Sequence, residues 1–466
     1  MNKRSTKFSF VAALLLIAAP ATQADTLMEI YQRAAQNDPA IREAEANMLA
    51  TMESRPQARA SLLPQLDFSG NWSKNESDGS RVTFVAGNPS NQPFESSTDN
   101  LNWSFDLSQT LFRWDQFQRM GRAGQEVSQA QLDFGAAQQD LMIRVAEAYF
   151  NVLAAADTLD SNVAAKEAIE RQLEQANRRF EVGLIAITDV QEAQAGFDDA
   201  TATEIVSKRE LANAREALRE IIGEYPESLA KPADEIPLLM PEPAIRDQWV
   251  DTAMSQNLAV LSAKIGTELT RYDVNIARSD YMPTLDFSAS YGNRQTDGDS
   301  SQVALNPAPP PTTIITSVDI DTDQTDKSIG LQLNFPLFAG LRTKSEVKES
   351  VYRHRASKEN FEKVIRQTER ETRDAYYGVE SEISRVKALR QARKSNQVAL
   401  EATEAGYEVG TRTTVDVLDA RRNLFLAETN YARSRYDYIV NVLRLKQAAG
   451  TLSPDDIALV NGWLQE

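Results

Sequence analysis

The chain has 466 residues, with 50 Lys and Arg against 67 Asp and Glu, a formal net charge of −17, one histidine and no cysteine. The missing cysteines exclude disulfides, thiolate-bound metal, a thiol nucleophile and a lipid-modified N-terminal cysteine. So acidic a balance repels nucleic acid, and the interspersed charges of both signs suit long solvated helices better than a disordered acidic tail.

The N-terminus is expected to be a signal peptide over residues 1–24. Lys3, Arg4 and Lys7 precede the apolar run Phe8–Ala19, which is too short to span a bilayer, and Thr22-Gln23-Ala24 offers small residues for cleavage. Asp25 then becomes the first mature residue, and loss of three cations leaves a net charge of about −20. No later window holds about 20 consecutive apolar residues, so no transmembrane helix is expected.

From Asp25 the chain is written twice. SLLPQLDFS at 61–69 recurs as DYMPTLDFS at 280–288, Leu111-Phe112 as Leu337-Phe338, Ala148-Tyr149 as Ala375-Tyr376, and Glu181-Val182-Gly183 as Glu408-Val409-Gly410. The near-constant offset means one unit used twice, a first structural repeat over 25–224 and a second over 250–450. Each reads helix, strand, polar loop, strand, long helix, Val-Gly break, long helix. The offset jumps by about seven residues between the proline and the Leu-Phe pair. That jump predicts a longer loop in the second copy, Gln295–Asp326 against Asn75–Asp99. A connector at 225–249 joins the copies, with Pro226, Pro232, Pro237, Pro241 and Pro243 predicting an extended linker. Residues 451–466 form a C-terminal segment.

Four runs alternate strictly between apolar and polar. Leu66, Phe68, Gly70 and Trp72 alternate with Asp67, Ser69, Asn71 and Ser73, and Leu101, Trp103, Phe105 and Leu107 form the next run. Leu285, Phe287, Ala289 and Tyr291, then Ile329, Leu331, Leu333 and Phe335, repeat the pattern. Period two gives each strand one apolar face. Alternation alone fits a half-buried soluble sheet. In an exported chain, aromatic-rich runs of about 10 residues also fit transmembrane β-strands. Four such strands cannot close a barrel, so a membrane reading requires two, three or four chains, giving about 8, 12 or 16 strands.

The helices are long. Trp114–Phe180 is free of proline and would run roughly 100 Å at 1.5 Å per residue. Leu141, Val145, Ala148, Val152, Ala155 and Leu159, and more brokenly Leu418, Phe425, Ala432, Tyr436, Ile439 and Leu443, predict a narrow coiled-coil seam. Around the two breaks, FEVGLIAITDVQEA at 180–193 and YEVGTRTTVDVLDA at 407–420 are close copies. The second carries Asp416 and Asp419, three apart and so on one helix face. Such a pair fits acid–base chemistry, a cation site or a solvated helix start, and Asp419 is read as having no counterpart in the first copy, where Gln191-Glu192 follow Asp189-Val190. Catalysis finds no other support: His354 stands on a charged helix, and no phosphate loop or zinc pair is present.

Through SLLPQL at 61–66, AYFNVL at 148–153, RFEVGLIAITDV at 179–190 and the stretch 406–420, the chain resembles the TolC family of outer-membrane efflux and secretion channels. The likeness covers essentially the whole mature chain. It implies an α+β membrane protein: a homotrimer with a 12-stranded β-barrel, four strands per protomer, continuous with a long α-helical coiled-coil barrel. A mixed equatorial domain would take the connector and the C-terminal segment. It also implies an exit duct of the Gram-negative outer membrane, extending into the periplasm and serving tripartite efflux or type I secretion. The duct would be no enzyme and use no cofactor. Its partners would be outer-membrane lipid, a periplasmic adaptor (membrane fusion) protein and an inner-membrane transporter of RND, ABC or MFS type. By the same resemblance Thr188, Asp189, Tyr407 and Arg412 form a latch holding the helical tip shut. Asp416 and Asp419 line the narrowest opening as carboxylate rings open to block by multivalent cations. Val182-Gly183-Leu184 and Val409-Gly410-Thr411 are the tips where the adaptor docks.

Overall fold

The computed structural model describes residues 24–85, 88–233, 235–306 and 312–465. Most of the expected signal peptide and the Pro309-Pro310-Pro311 run lie outside the described residues. The elements in chain order are α1 (Leu27–Asn37), α2 (Pro39–Met52), α3 (Ser54–Ala60), β1 (Gln65–Val85), β2 (Asn88–Phe112), α4 (Trp114–Glu181) and α5 (Ile187–Ile222). After the short β3 (Lys231–Pro232) come α6 (Arg246–Gln256), α7 (Leu258–Ser279), β4 (Thr284–Asn306), β5 (Thr312–Asn334), α8 (Arg342–Glu408) and α9 (Thr414–Ala449). The chain ends with α10 (Pro454–Asn461) and β6 (Leu464–Gln465). It divides into two compact units.

The unit formed by Ala46–Asp133 and Leu261–Val364 holds an antiparallel sheet in the order β1-β2-β4-β5. Its register lines Leu66, Leu107, Ala289 and Ile329 across one face, with Phe68, Phe105 and Tyr291 in the next row. Asp67, Asp106, Ser290 and Ser328 line the opposite face. The apolar face is bare within the chain: Leu66 is 67% exposed, Leu333 69% and Ile329 82%. The apolar run Leu66–Trp72 covers about 20 Å at about 3.3 Å per residue, close to the outward apolar band of a membrane barrel. Aromatic rings lie within this run, where Phe68 pairs with Phe105 and Gly70 with Trp103. Trp103 lies 5.8 Å from Tyr291 and 6.1 Å from Phe105, and Trp114 lies 6.5 Å from Phe117 just past the end of β2.

The strands correct the expectation of about 10 residues joined by polar loops. β1 and β2 have 21 and 25 residues and stay paired from Gln65↔Ser108 to Val85↔Asn88. β4 and β5, with 23 each, pair from Thr284↔Asn334 to Asn306↔Thr312. Polar side chains end the apolar face but leave the backbone ladder intact, so Asn75–Asp99 and Gln295–Asp326 are largely strand. The extra residues of the second copy are also shared differently. β4 through β5 outruns β1 through β2 by only three; most of the rest sits in 335–341 between β5 and α8, where Arg113 alone joins β2 to α4. In the same unit Arg122 bridges α4 to Asp273 of α7 at 2.7 Å, and His354 is hydrogen-bonded to Thr270 at 3.0 Å.

The other unit comprises the residues up to Glu45, Phe134–Val260 and the chain from Ile365 onward. Its core gathers Leu27 and Ile30 of α1, Leu141 through Ala154 of α4, Leu218 and Ile222 of α5, Val379 of α8, and Tyr438, Ile439 and Leu443 of α9. Along 141–154 α4 is buried nearly all round, so the expected narrow seam widens there. The reason is that α1, α9 and the connector are gathered around it in one core. The connector is extended but anchored by tyrosines. Tyr149 donates to the carbonyl oxygen of Ala230 at 2.7 Å, Tyr438 to that of Leu239 at 3.0 Å, and Tyr376 to that of Ala244 at 3.0 Å. Asp25 is held beside it, its N–H donating to the Ser228 carbonyl at 2.8 Å, and β3 pairs with β6 from the chain end.

Candidate gate at the helical turns

Both Val-Gly breaks adopt the same backbone. Gly183 and Gly410 have φ of 76° and 79°, the left-handed region that an L side chain disfavours. The N–H of Gly183 donates to the Phe180 carbonyl at 2.8 Å and that of Leu184 to Arg179 at 2.9 Å. Gly410 and Thr411 repeat this to Tyr407 and Gly406 at 3.1 and 2.9 Å. These paired bonds satisfy helix-end carbonyls and stop α4 and α8. Each turn closes over a small core: Ala176, Val190 and Ala193 in the first, Leu400, Val417 and Leu424 with Tyr407 in the second. Val182, Leu184 and Val409 stay exposed.

The returning helices start on carboxylates. In α9 the Asp416 carboxylate accepts the Thr413 N–H at 2.8 Å and its hydroxyl at 3.0 Å, while the Asp416 N–H donates back to the Thr413 hydroxyl at 3.2 Å. The Thr413 N–H, then its hydroxyl, then the charge of Arg412 hold the Asp416 carboxyl below the usual carboxylate range. In α5 Asp189 does half as much, accepting the Ala186 N–H at 3.3 Å. Asp189 and Asp416 are each the third residue of their helix, which makes them counterparts. Glu192 and Asp419 are each the sixth. The first copy therefore does carry an acid at the place of Asp419, one methylene longer. The sequence reading missed it by comparing residue types rather than helix positions.

Basic side chains tie the two hairpins. Arg179 of α4 stacks on the Tyr407 ring of α8, 5.0 Å from its centroid. Within the second hairpin, Arg421 pairs with Glu404 of α8. Arg422 reaches Asp199 of α5 at 3.3 Å and Asp419 at 3.7 Å.

The family profile of outer membrane efflux proteins matches residues 30–224 and 249–451. The chain belongs to this family. It is 37% identical over 458 residues to the outer membrane protein TolC of Vibrio cholerae, covering 98% of each chain. It is 34% identical to TolC of Escherichia coli K12, covering 96% of this chain and 86% of that one. The alkaline protease secretion protein AprF of Pseudomonas aeruginosa is 28% identical, with 98% and 91% covered. Among solved structures, the Campylobacter jejuni CmeC outer membrane channel shares the fold, with a TM-score of 0.72 at 16% identity over 100% of this chain and 98% of that one. The protein is an outer-membrane channel, an exit duct for efflux and secretion.

Of the expected latch residues Thr188, Asp189, Tyr407 and Arg412, no two are bonded to each other among the described residues. Thr414 donates to the Tyr407 hydroxyl at 3.5 Å, the outer limit of a hydrogen bond. Thr188 is exposed, as is Arg412, whose stem lies over Gly406: a Cβ there would sit 2.8 Å from Arg412 Cγ. Among the described residues no ion pair links Arg412 to Asp189 within the chain, and Asp189 spends its carboxylate on the cap. Sequence reasoning missed Arg179, Asp199, Glu404, Arg421 and Arg422. Arg421-Arg422, two residues beyond Asp419, was the one available signal, since the first copy has Gln194-Ala195 there. Among the described residues no cluster of three metal-ligating side chains occurs.

Proposed function

We propose that three copies assemble into one duct with a 12-stranded barrel in the outer membrane and a coiled-coil helical barrel in the periplasm, gated at the α4–α5 and α8–α9 turns. The observation carrying this is the open sheet. The outer edges of β1 and β5 have no partner strand among the described residues, and one face is bare and apolar. In lipid each unpaired backbone group costs several kcal/mol, so the edges must pair with other copies. Three copies supply about 12 strands, enough for a water-filled lumen where two would fill with side chains.

At the tip, Arg412 of one protomer pairs with Asp189 and Thr188 of the next, with Tyr407 beside them. Exposed pairs of this kind contribute about 0–1 kcal/mol each, enough to bias a shut state that a partner opens. Asp416 and Asp419 stack as carboxylate rings that favour cations. A periplasmic adaptor docks on Val182-Gly183-Leu184 and Val409-Gly410-Thr411 and joins the duct to an inner-membrane transporter of RND, ABC or MFS type. In planar bilayers, Arg412→Ser combined with Tyr407→Phe raises single-channel conductance; unchanged conductance removes the latch. Chemical cross-linking of the detergent-extracted protein reports three chains, and any other number removes the trimer.

A further inference from the structure

The unexplained group at the turns is Arg422. One guanidinium nitrogen lies 3.7 Å from Asp419, one turn earlier on α9, and another 3.3 Å from Asp199 on α5. The side chains of Arg422, Asp419 and Asp199 are 61%, 61% and 68% exposed, so no buried network fixes the choice between the two acids. Arg421 differs: about 100° round the helix and only 20% exposed, it is committed to Glu404. The first copy has no such cation, because Ala195 stands where Arg422 does.

We propose that Arg422 sets the charge of the constriction by offsetting Asp419, with Asp199 competing for the same guanidinium, so that Asp416 carries the larger share of the cation preference. This rests on the reading of Asp416 and Asp419 as pore-lining rings. In a threefold assembly the two aspartates bring six negative charges, and three Arg422 side chains reduce that to three. A side chain need not hold a tight bond to have this effect. At 3.7 Å it lies well inside the screening length of about 8–10 Å, so an ion at the Asp419 ring feels both charges together. Asp199 draws the cation away, and the ring's effective charge follows the balance between the two acids.

The test uses the full-length channel in planar bilayers, reading reversal potential in a potassium chloride gradient and block by hexaamminecobalt(III). Arg422→Gln shifts the reversal potential further toward cations and tightens block, on the order of tenfold for a trivalent ion. Arg422→Lys restores the parent values. Asp199→Asn acts in the opposite direction, weakening block by leaving Arg422 to Asp419 alone. Asp419→Asn separates the two layers of the argument: if it moves neither readout, the pore-ring premise fails and takes the proposal with it. If Asp419→Asn acts and Arg422→Gln does not, the proposal alone is overturned. It is also overturned if Arg422→Gln and Asp199→Asn both raise conductance without moving selectivity, the signature of a brace between α5 and α9.

Discussion

The guanidinium of Arg179, near the end of α4, stacks 5.0 Å from the ring centroid of Tyr407, near the end of α8. The contact joins the two hairpin turns through residues far apart in the chain. A half-buried contact of this type contributes about 0.5–2 kcal/mol. Arg179→Ala is therefore expected to speed amide exchange in the last turn of α8 a few-fold, while Arg179→Lys has a smaller effect. Equal exchange in all three proteins would show that the stacking does not stabilise the turn.

The reciprocal bonds between Thr413 and Asp416 give a pH signature. A carboxyl depressed below its ordinary value stabilises the cap above its unfolded pKa and loses that contribution as pH falls through the lower, folded value. Protection of the Asp416 and Val417 amides should thus be flat from neutral pH down to the usual carboxylate range and fall only below it. Thr413→Ala removes the reciprocal half of the cap, at about 1 kcal/mol of local helix stability. Amide exchange followed against pH checks both.

Gly183 and Gly410 have open space where a Cβ would go, so a substitution there tests backbone conformation alone. Gly183→Ala and Gly410→Ala should each cost about 1 kcal/mol through the left-handed conformation. A thermal melt that is unchanged for both variants would contradict the strain.

Tyr149 is fully buried, and burial pushes its phenol far above the ordinary tyrosine range. Tyr149→Phe leaves the Ala230 carbonyl without this donor and should lower stability by about 1–2 kcal/mol. Ionisation of the phenol is disfavoured in the folded state, so stability is retained below its unfolded pKa of about 10 and declines above it. Denaturation of the phenylalanine variant, compared with the parent at neutral and alkaline pH, should show the parent losing its advantage as pH rises.

How much of this was legible beforehand varied with the range of the interaction. The alternation of Leu66, Phe68 and Trp72 marked an apolar face, and the structure leaves that face bare. The absence of proline and the Val-Gly break placed the limits of the long helix, which runs Trp114–Glu181. The strands' full length was hidden, because polar residues such as Ser77 and Ser96 carry no apolar signal while their backbones still pair.

What the sequence determined by itself was local and periodic: the duplicated unit, the two-residue rhythm of the strands, the helix stops at Gly183 and Gly410, and through these the family. Tertiary structure alone decided which distant groups meet. It set Arg422 between Asp199 and Asp419, Arg179 on Tyr407, and Tyr149 beneath the connector at Ala230. It also showed Glu192 to stand where Asp419 does. The physical reason is that a helix or strand repeats its geometry every few residues and writes it into the pattern. An ion pair, a stacked ring or a buried hydroxyl depends on how elements far apart in the chain come to lie side by side, and no local rhythm records that.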